Sequence, residues 1–301
     1  MQLTLLKAEA PNKLREGDKT KHVRHIVRVS FFIALFVVLS LCGCKTDGLT
    51  TVTEVIDGDT IVVESLEAGV RLIGIDAPEL RDGSKPAGQY AQEARLFILE
   101  SLKNGNSKVK LELHGKDSYG RNLAYVFTPD GKMLNTELLR NGLARPLTYE
   151  ETSHYNDKIV SAYHEAFKNR KGIFSSYNTL KTIEASKIKD NLKPYSQGGF
   201  LGKIVWVEFL VTDTSRLSIS GKDIIVKIRQ EEADLFMPEG FDFNKLYRKT
   251  VRVYGEVWED SSGKASILLR DPAIEIGNIS DFVYQRSNIA DIVYATQFLS
   301  F

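Results

Sequence analysis

Five side chains in two short windows carry the chemistry open to this sequence. They are Asp59, Arg71, Asp76 and Glu79 in the first window and Arg121 in the second. The first reads Val55-Ile56-Asp57-Gly58-Asp59-Thr60, then Arg71-Leu72-Ile73-Gly74-Ile75-Asp76-Ala77-Pro78-Glu79; the second reads Asp117-Ser118-Tyr119-Gly120-Arg121. Three carboxylates and two guanidinium groups are what metal-assisted attack on a phosphodiester needs. The carboxylates hold a hard cation and activate water, and the arginines clamp a phosphate and offset its growing charge. Arginine gives two parallel hydrogen bonds to a phosphate, which lysine cannot. Hard oxygen donors with no His or Cys beside them favour Ca²⁺ or Mg²⁺ over zinc.

Taken singly, each residue has a plainer reading. Asp-Gly-Asp is often only a turn, and an Arg near an Asp is often a surface pair worth little. His114, His154 and His164 are scattered and read as structural or exposed. Spacing offers neither a CxxC pair nor a His/Cys cluster for zinc.

The elements between the windows explain how distant residues meet. Thr51 to Ile56 alternates β-branched residues, stops at Asp57-Gly58-Asp59, and resumes at Thr60 to Val63. Gly69 opens a third run, Val70 to Ile75, broken by Ala77-Pro78. In such a meander Asp59 begins the second strand and Asp76 follows the third, so both lie on one rim and can meet at one cation. Pro78 fixes the chain path that aims Glu79. A helix is predicted over 89–103, a strand over 108–113, a fifth strand over 122–128, and helices over 134–142 and 154–170.

These windows resemble the staphylococcal (thermonuclease-type) nuclease family over roughly residues 50–180. The resemblance implies an α+β domain, mainly β with helices: a five-stranded OB-type β-barrel with three helices. It also implies a calcium-dependent phosphodiesterase acting on DNA and RNA. Carried over by position, Ca²⁺ is held by Asp59, Asp76 and the backbone carbonyl of Ala77, while Arg71, Glu79 and Arg121 are catalytic. Tyr119 resembles the tyrosine that contacts a substrate phosphate. Cleavage of the P–O5′ bond inside a strand, leaving a 3′-phosphate, follows by analogy. Two positions depart from the family. Ser118 stands where a groove lysine often lies, and Thr148 where an aromatic stacks on a base, with Tyr149 one position on as the substitute.

The chain of 301 residues allows about two domains, and 43% hydrophobic with 26% charged residues suits a packed core. Net charge is +1, and beyond residue 43 acids outnumber bases. A polyanion would need a local basic groove, because the overall field does not steer it. Residues 7–28 are basic, and an apolar stretch from Val29 to Leu41 follows. It is short for a span of about 20 residues and right for a signal segment. It ends Leu41-Cys42-Gly43-Cys44, which resembles a bacterial lipobox with Cys44 lipidated. A lipoprotein signal over 1–44, an uncleaved anchor and an ordinary secretory signal are the alternatives. Each places the folded part outside the cytoplasmic membrane, in the lipoprotein case tethered to the cell envelope.

Residues 181–198, rich in Lys with Pro194 and Gly198-Gly199, read as a linker. Residues 199–279 read as a second, OB-fold-like barrel of five strands with a mostly irregular insert between the third and fourth. Asp271-Pro272 then precedes Ala273-Ile274-Glu275-Ile276, and 280–301 is an unassigned tail. Trp206, Trp258 or Tyr254 could stack bases, with Lys203, Lys227 and Arg252 on phosphate. Alternatively these aromatics are core, and the module packs on the first domain or on a partner. Two non-catalytic readings stand beside the nuclease: a nucleic-acid-binding module, and an envelope scaffold whose second barrel binds protein. Degenerate copies of such a barrel lose the carboxylate–arginine set, which this chain keeps.

Overall fold

The computed structural model describes residues 48–80 and 86–277. The signal segment 1–44 with Cys44, and the tail 280–301, lie outside the described residues. Among the described residues no helix is long and apolar enough to cross a membrane.

The first half is the barrel that the alternating runs predict. β1 (Leu49–Val55), β2 (Thr60–Val63), β3 (Val70–Leu72), β5 (Lys108–Lys116) and β6 (Asn122–Phe127) close in the order β1-β2-β3-β6-β5. β3 and β6 pair in parallel and the other pairs are antiparallel. Inward residues such as Val55, Ile61, Val70, Leu72, Val109 and Ala124 are buried, as alternation requires.

The run predicted as one strand from Val70 to Ile75 is split. At Gly74 φ is +77°, and a Cβ there would stand 2.5 Å from Ile159 Cδ1. Only glycine takes that turn without strain. The chain leaves the barrel as β4 (Gly74–Asp76) and pairs antiparallel with β7 (Arg145–Leu147). α1 (Ala91–Lys103), α2 (Leu134–Arg140) and α3 (Asn156–Lys168) are the three predicted helices. A 3₁₀ segment, Glu150–Tyr155, precedes α3.

The stretch expected as a linker is structured. It forms β8 (Thr182–Glu184) and α4 (Ala185–Lys189), and β8 adds a parallel edge strand to β9 (Ile204–Leu210). The second half continues with β10 (Asp213–Ser215), β11 (Ser218–Ser220), β12 (Ile224–Ile228), α5 (Gln230–Phe236), β13 (Thr250–Glu256), β14 (Trp258–Glu259), β15 (Ala265–Leu269) and α6 (Pro272–Glu275).

These strands form two sheets, β10-β11-β12-β15-β14 and β13-β9-β8. β10 directly follows β9, and β14 directly follows β13. Counting each such pair as one bent strand, the pairing order is that of the first barrel, including the parallel pair β12–β15. The insert expected to be irregular carries the helix α5. Asp271 caps α6 by accepting from the Ala273 N–H (2.8 Å), and Pro272 sits in its first turn.

Of the two readings of Trp206 and Tyr254, base stacking or core, the structure takes the core. The two residues are 3% and 1% exposed and belong to the same apolar cluster as the first barrel. The Trp206 indole N–H donates to the Tyr177 carbonyl (2.8 Å), and the Tyr254 hydroxyl donates to the Ile173 carbonyl. Trp258 is half-buried. Buried aromatics need their polar ends satisfied, and here the partners lie in the segment after α3. The structure thus takes the packing alternative for these two rings. Lys227 and Arg252 are exposed, and Arg252 lies over the Trp206 ring (4.6 Å).

Candidate active site

Asp59 is placed by the turn before β2. The Asp59 N–H donates to Asp57 Oδ1 (3.0 Å), and Gly58 lets this turn press on Ala77 and Ala94, where an added Cβ would stand 2.6 Å from each of their Cβ atoms. α1 is pinned to the same strand end, since Arg95 Nε donates to the Val55 carbonyl (2.9 Å). Register pairs Thr60 with Arg71, so Arg71 rises beside Asp59 from the neighbouring strand.

The contacts then converge. Arg71 Nη1 lies 2.5 Å from Asp59 Oδ2, and Arg71 Nη2 lies 3.4 Å from Asp76 Oδ1. The Ala77 N–H donates to Asp59 Oδ2 (2.8 Å), which brings the Ala77 backbone against the same carboxylate. Thr60 Oγ1 donates to Asp59 Oδ1 (3.1 Å) and accepts from Arg121 Nη1 (3.4 Å). Arg121 therefore joins the group through one hydroxyl.

Arg121 is itself aimed by Asp117. Asp117 Oδ1 accepts from the N–H groups of Tyr119 and Arg121, and Oδ2 accepts from Arg121 Nε (2.8 Å). Burial raises the Asp117 carboxyl, but these hydrogen bonds together outweigh it and hold the group below its usual value. Tyr119 is 85% exposed at the tip of this turn, with Arg121 5.6 Å from its ring. Glu79 follows Pro78 and is half-buried, and its carbonyl accepts from the Gly88 N–H (2.8 Å).

Asp59 is 3% exposed. Burial pushes its carboxyl up to about 8; Arg71 and the Ala77 N–H act in the opposite direction, and the Asp57 and Asp76 charges add to the rise. The close ion pair with Arg71 by itself argues for a depressed value. Burial wins here because taking this carboxylate out of water costs more than Arg71 and the Ala77 N–H return. A carboxylate that burial holds above its usual range, sharing Arg71 with a second carboxylate and lying against the Ala77 backbone, fits a hard divalent cation. Asp59, Asp76 and the Ala77 carbonyl are the residues that would hold it.

The second half reaches this site, which the sequence did not signal. Arg270, 3% exposed, donates from Nη2 to Asp76 Oδ2 (2.8 Å). Among the described residues its Nε and Nη1 have no hydrogen-bond partner. Its backbone N–H donates to Glu275 Oε2 (2.6 Å), while Glu275 Oε1 accepts from the Tyr163 hydroxyl (2.8 Å). His164, read as structural, lies 2.7 Å from Asp271. Arg145 Nη1 pairs with Glu256 at 3.1 Å, both nearly buried.

Thr148, at the family's stacking position, is fixed from the same side. Glu232 Oε1 accepts from its N–H (2.8 Å) and hydroxyl (3.2 Å), and Arg229 donates to its carbonyl (3.1 Å). Tyr149 is 43% exposed with the Arg229 guanidinium 4.7 Å from its ring. The segment around Thr148 and Tyr149 is thus held by residues of both halves.

Residues 69–176 match the family described as staphylococcal nuclease homologue. The chain is 38% identical over 142 residues to a thermonuclease of Staphylococcus hyicus, covering 44% of this chain and 83% of that one. It is 38% identical over 125 residues to a thermonuclease of Staphylococcus intermedius, covering 41% and 74%. It is also 33% identical over 129 residues to the endonuclease YncB of Bacillus subtilis, covering 42% and 61%.

Proposed function

The chain belongs to the staphylococcal nuclease family, and from that premise we propose that it is an exported, calcium-dependent endonuclease that hydrolyses DNA or RNA and leaves 3′-phosphates. The observation that carries the reading is the convergence of Asp59, Arg71 and Asp76, with Arg121 joined to them through Thr60.

In this reading Glu79 orients a water or takes its proton for in-line attack at phosphorus. Arg71 and Arg121 hold the phosphate and stabilise the charge that grows on its oxygens. Tyr119, exposed beside Arg121, contacts a neighbouring phosphate, and Tyr149 stacks on a base. When bound at Asp59, Asp76 and the Ala77 carbonyl, Ca²⁺ would polarise a phosphate oxygen. Outside the cell, calcium at millimolar levels fills even a weak site, which suits a chain with a signal-like segment that ends in a lipobox-like Cys44.

The test is digestion of end-labelled DNA and RNA with Ca²⁺ or with a chelator, followed by analysis of the new ends. Calcium-dependent cutting within the strand to give 3′-phosphates is expected. Activity unchanged by the chelator removes the metal role, and 3′-hydroxyl products remove the assigned bond.

A further inference from the structure

Glu112 and His114 lie two apart on β5 and so share one face of it. The 3₁₀ segment brings His154 to them from a distant part of the chain. Both imidazoles converge on one oxygen: Glu112 Oε1 is 3.0 Å from His114 Nε2 and 3.2 Å from His154 Nε2. One ligand-type atom from each of the three residues lies within 4.8 Å of the others. Around a tetrahedral zinc with bonds of about 2.0–2.1 Å, neighbouring ligand atoms stand about 3.3 Å apart, so little movement is needed to admit an ion.

The surroundings hold the three groups in place. The other Glu112 oxygen accepts from the Tyr155 hydroxyl (3.0 Å), which is the outer contact that orients a ligating carboxylate. The Tyr125 ring packs edge-on against both imidazoles, at 5.2 Å from His114 and 5.9 Å from His154, and the Tyr155 ring lies 4.1 Å from His154. His154 is exposed, so a further ligand position faces water.

We propose that Glu112, His114 and His154 bind a zinc-type transition-metal ion at a site separate from the hard-oxygen group at Asp59 and Asp76. Two imidazoles and one carboxylate suit Zn²⁺, Co²⁺ or Ni²⁺ and discriminate against Ca²⁺. The bound ion would tie β5 to the segment that follows Thr148 and Tyr149 and leads into α3. Because the unfolded chain does not hold these groups together, binding raises stability by mass action.

The test uses the full chain, stripped of metal and kept in excess Ca²⁺. It is titrated with Zn²⁺ by calorimetry and with Co²⁺ by visible absorption. One equivalent of Zn²⁺, a tetrahedral Co²⁺ spectrum and a Zn²⁺-dependent rise in the unfolding midpoint are expected. His154→Ala changes an exposed side chain, should fold, and should weaken Zn²⁺ binding by about tenfold or more; His114→Ala should do the same. No binding at micromolar Zn²⁺, or wild-type binding in both variants, overturns the site. Stoichiometric displacement of Zn²⁺ by Ca²⁺ overturns the assigned metal class.

Discussion

Replacing Asp59 by Asn should stabilise the metal-free protein at high pH and do little at low pH. The Asp59 carboxyl is pushed from 3.8 up to about 8, chiefly by burial. A carboxyl raised in this way keeps its proton longer in the folded chain than in the unfolded one. Between about pH 4 and 8 the folded state therefore binds more protons, and stability falls as pH rises through that window. A rise of about four units at 1.36 kcal/mol each gives about 5 kcal/mol by pH 8. Relaxation and water entry around the new charge reduce this, so about 2–5 kcal/mol is expected. Asn keeps an acceptor for the Ala77 N–H and removes the charge, and Asp76 remains to pair Arg71. The assay is urea unfolding in a chelator, followed by fluorescence of Trp206 and Trp258, for both proteins at pH 5 and pH 9. The variant should exceed wild type by only about 1 kcal/mol at pH 5 and by several kcal/mol at pH 9. The same difference at both pH values, or a variant weaker at pH 9, would falsify the claim that burial holds the Asp59 carboxyl above its usual range. Adding Ca²⁺ at pH 9 should close the gap by raising only wild type.

Other expectations concern activity and packing. Arg121→Lys keeps the charge but loses the paired donors and the Asp117 alignment, so cleavage should fall about 10²-fold in single-turnover assays. Gly58→Ala puts a Cβ into Ala77 and Ala94; it should cost about 1–3 kcal/mol in chemical unfolding and lower activity by shifting Asp59. Arg270→Met removes a guanidinium that shares Asp76 with the proposed cation, so the Ca²⁺ giving half-maximal activity should drop by about tenfold through lost Coulomb repulsion. An unchanged or higher requirement would show that Arg270 supports the site instead of competing with it.

The first barrel was legible because its signals are local. Alternating runs, the Asp57-Gly58 turn and Pro78 set strand ends within a few residues, and those ends carry Asp59 and Asp76. The split at Gly74 was not legible: a glycine inside an apolar run looks like continuous strand until Ile159, far along the chain, is seen to occupy its missing Cβ. The role of the second half was hidden for the same reason. Arg270, Glu232 and Glu256 sit in strand ends and a short helix with no motif around them, and only tertiary packing brings them to Asp76, Thr148 and Arg145. Trp206 and Tyr254 stayed undecided because an aromatic on a strand reads alike whether it faces a ligand or a neighbouring module. His114 and His154 seemed isolated because only the fold brings both imidazoles to Glu112.

The central claim is that the Asp59–Arg71–Asp76–Arg121 group, with Glu79 serving the attacking water, performs phosphodiester hydrolysis. Single-turnover cleavage of labelled DNA by wild type and Glu79→Gln, at saturating Ca²⁺, tests it most directly. A drop in rate of about 10²–10³ or more, with substrate binding retained, is the predicted result. Cleavage by purified Glu79→Gln at the wild-type rate would contradict it.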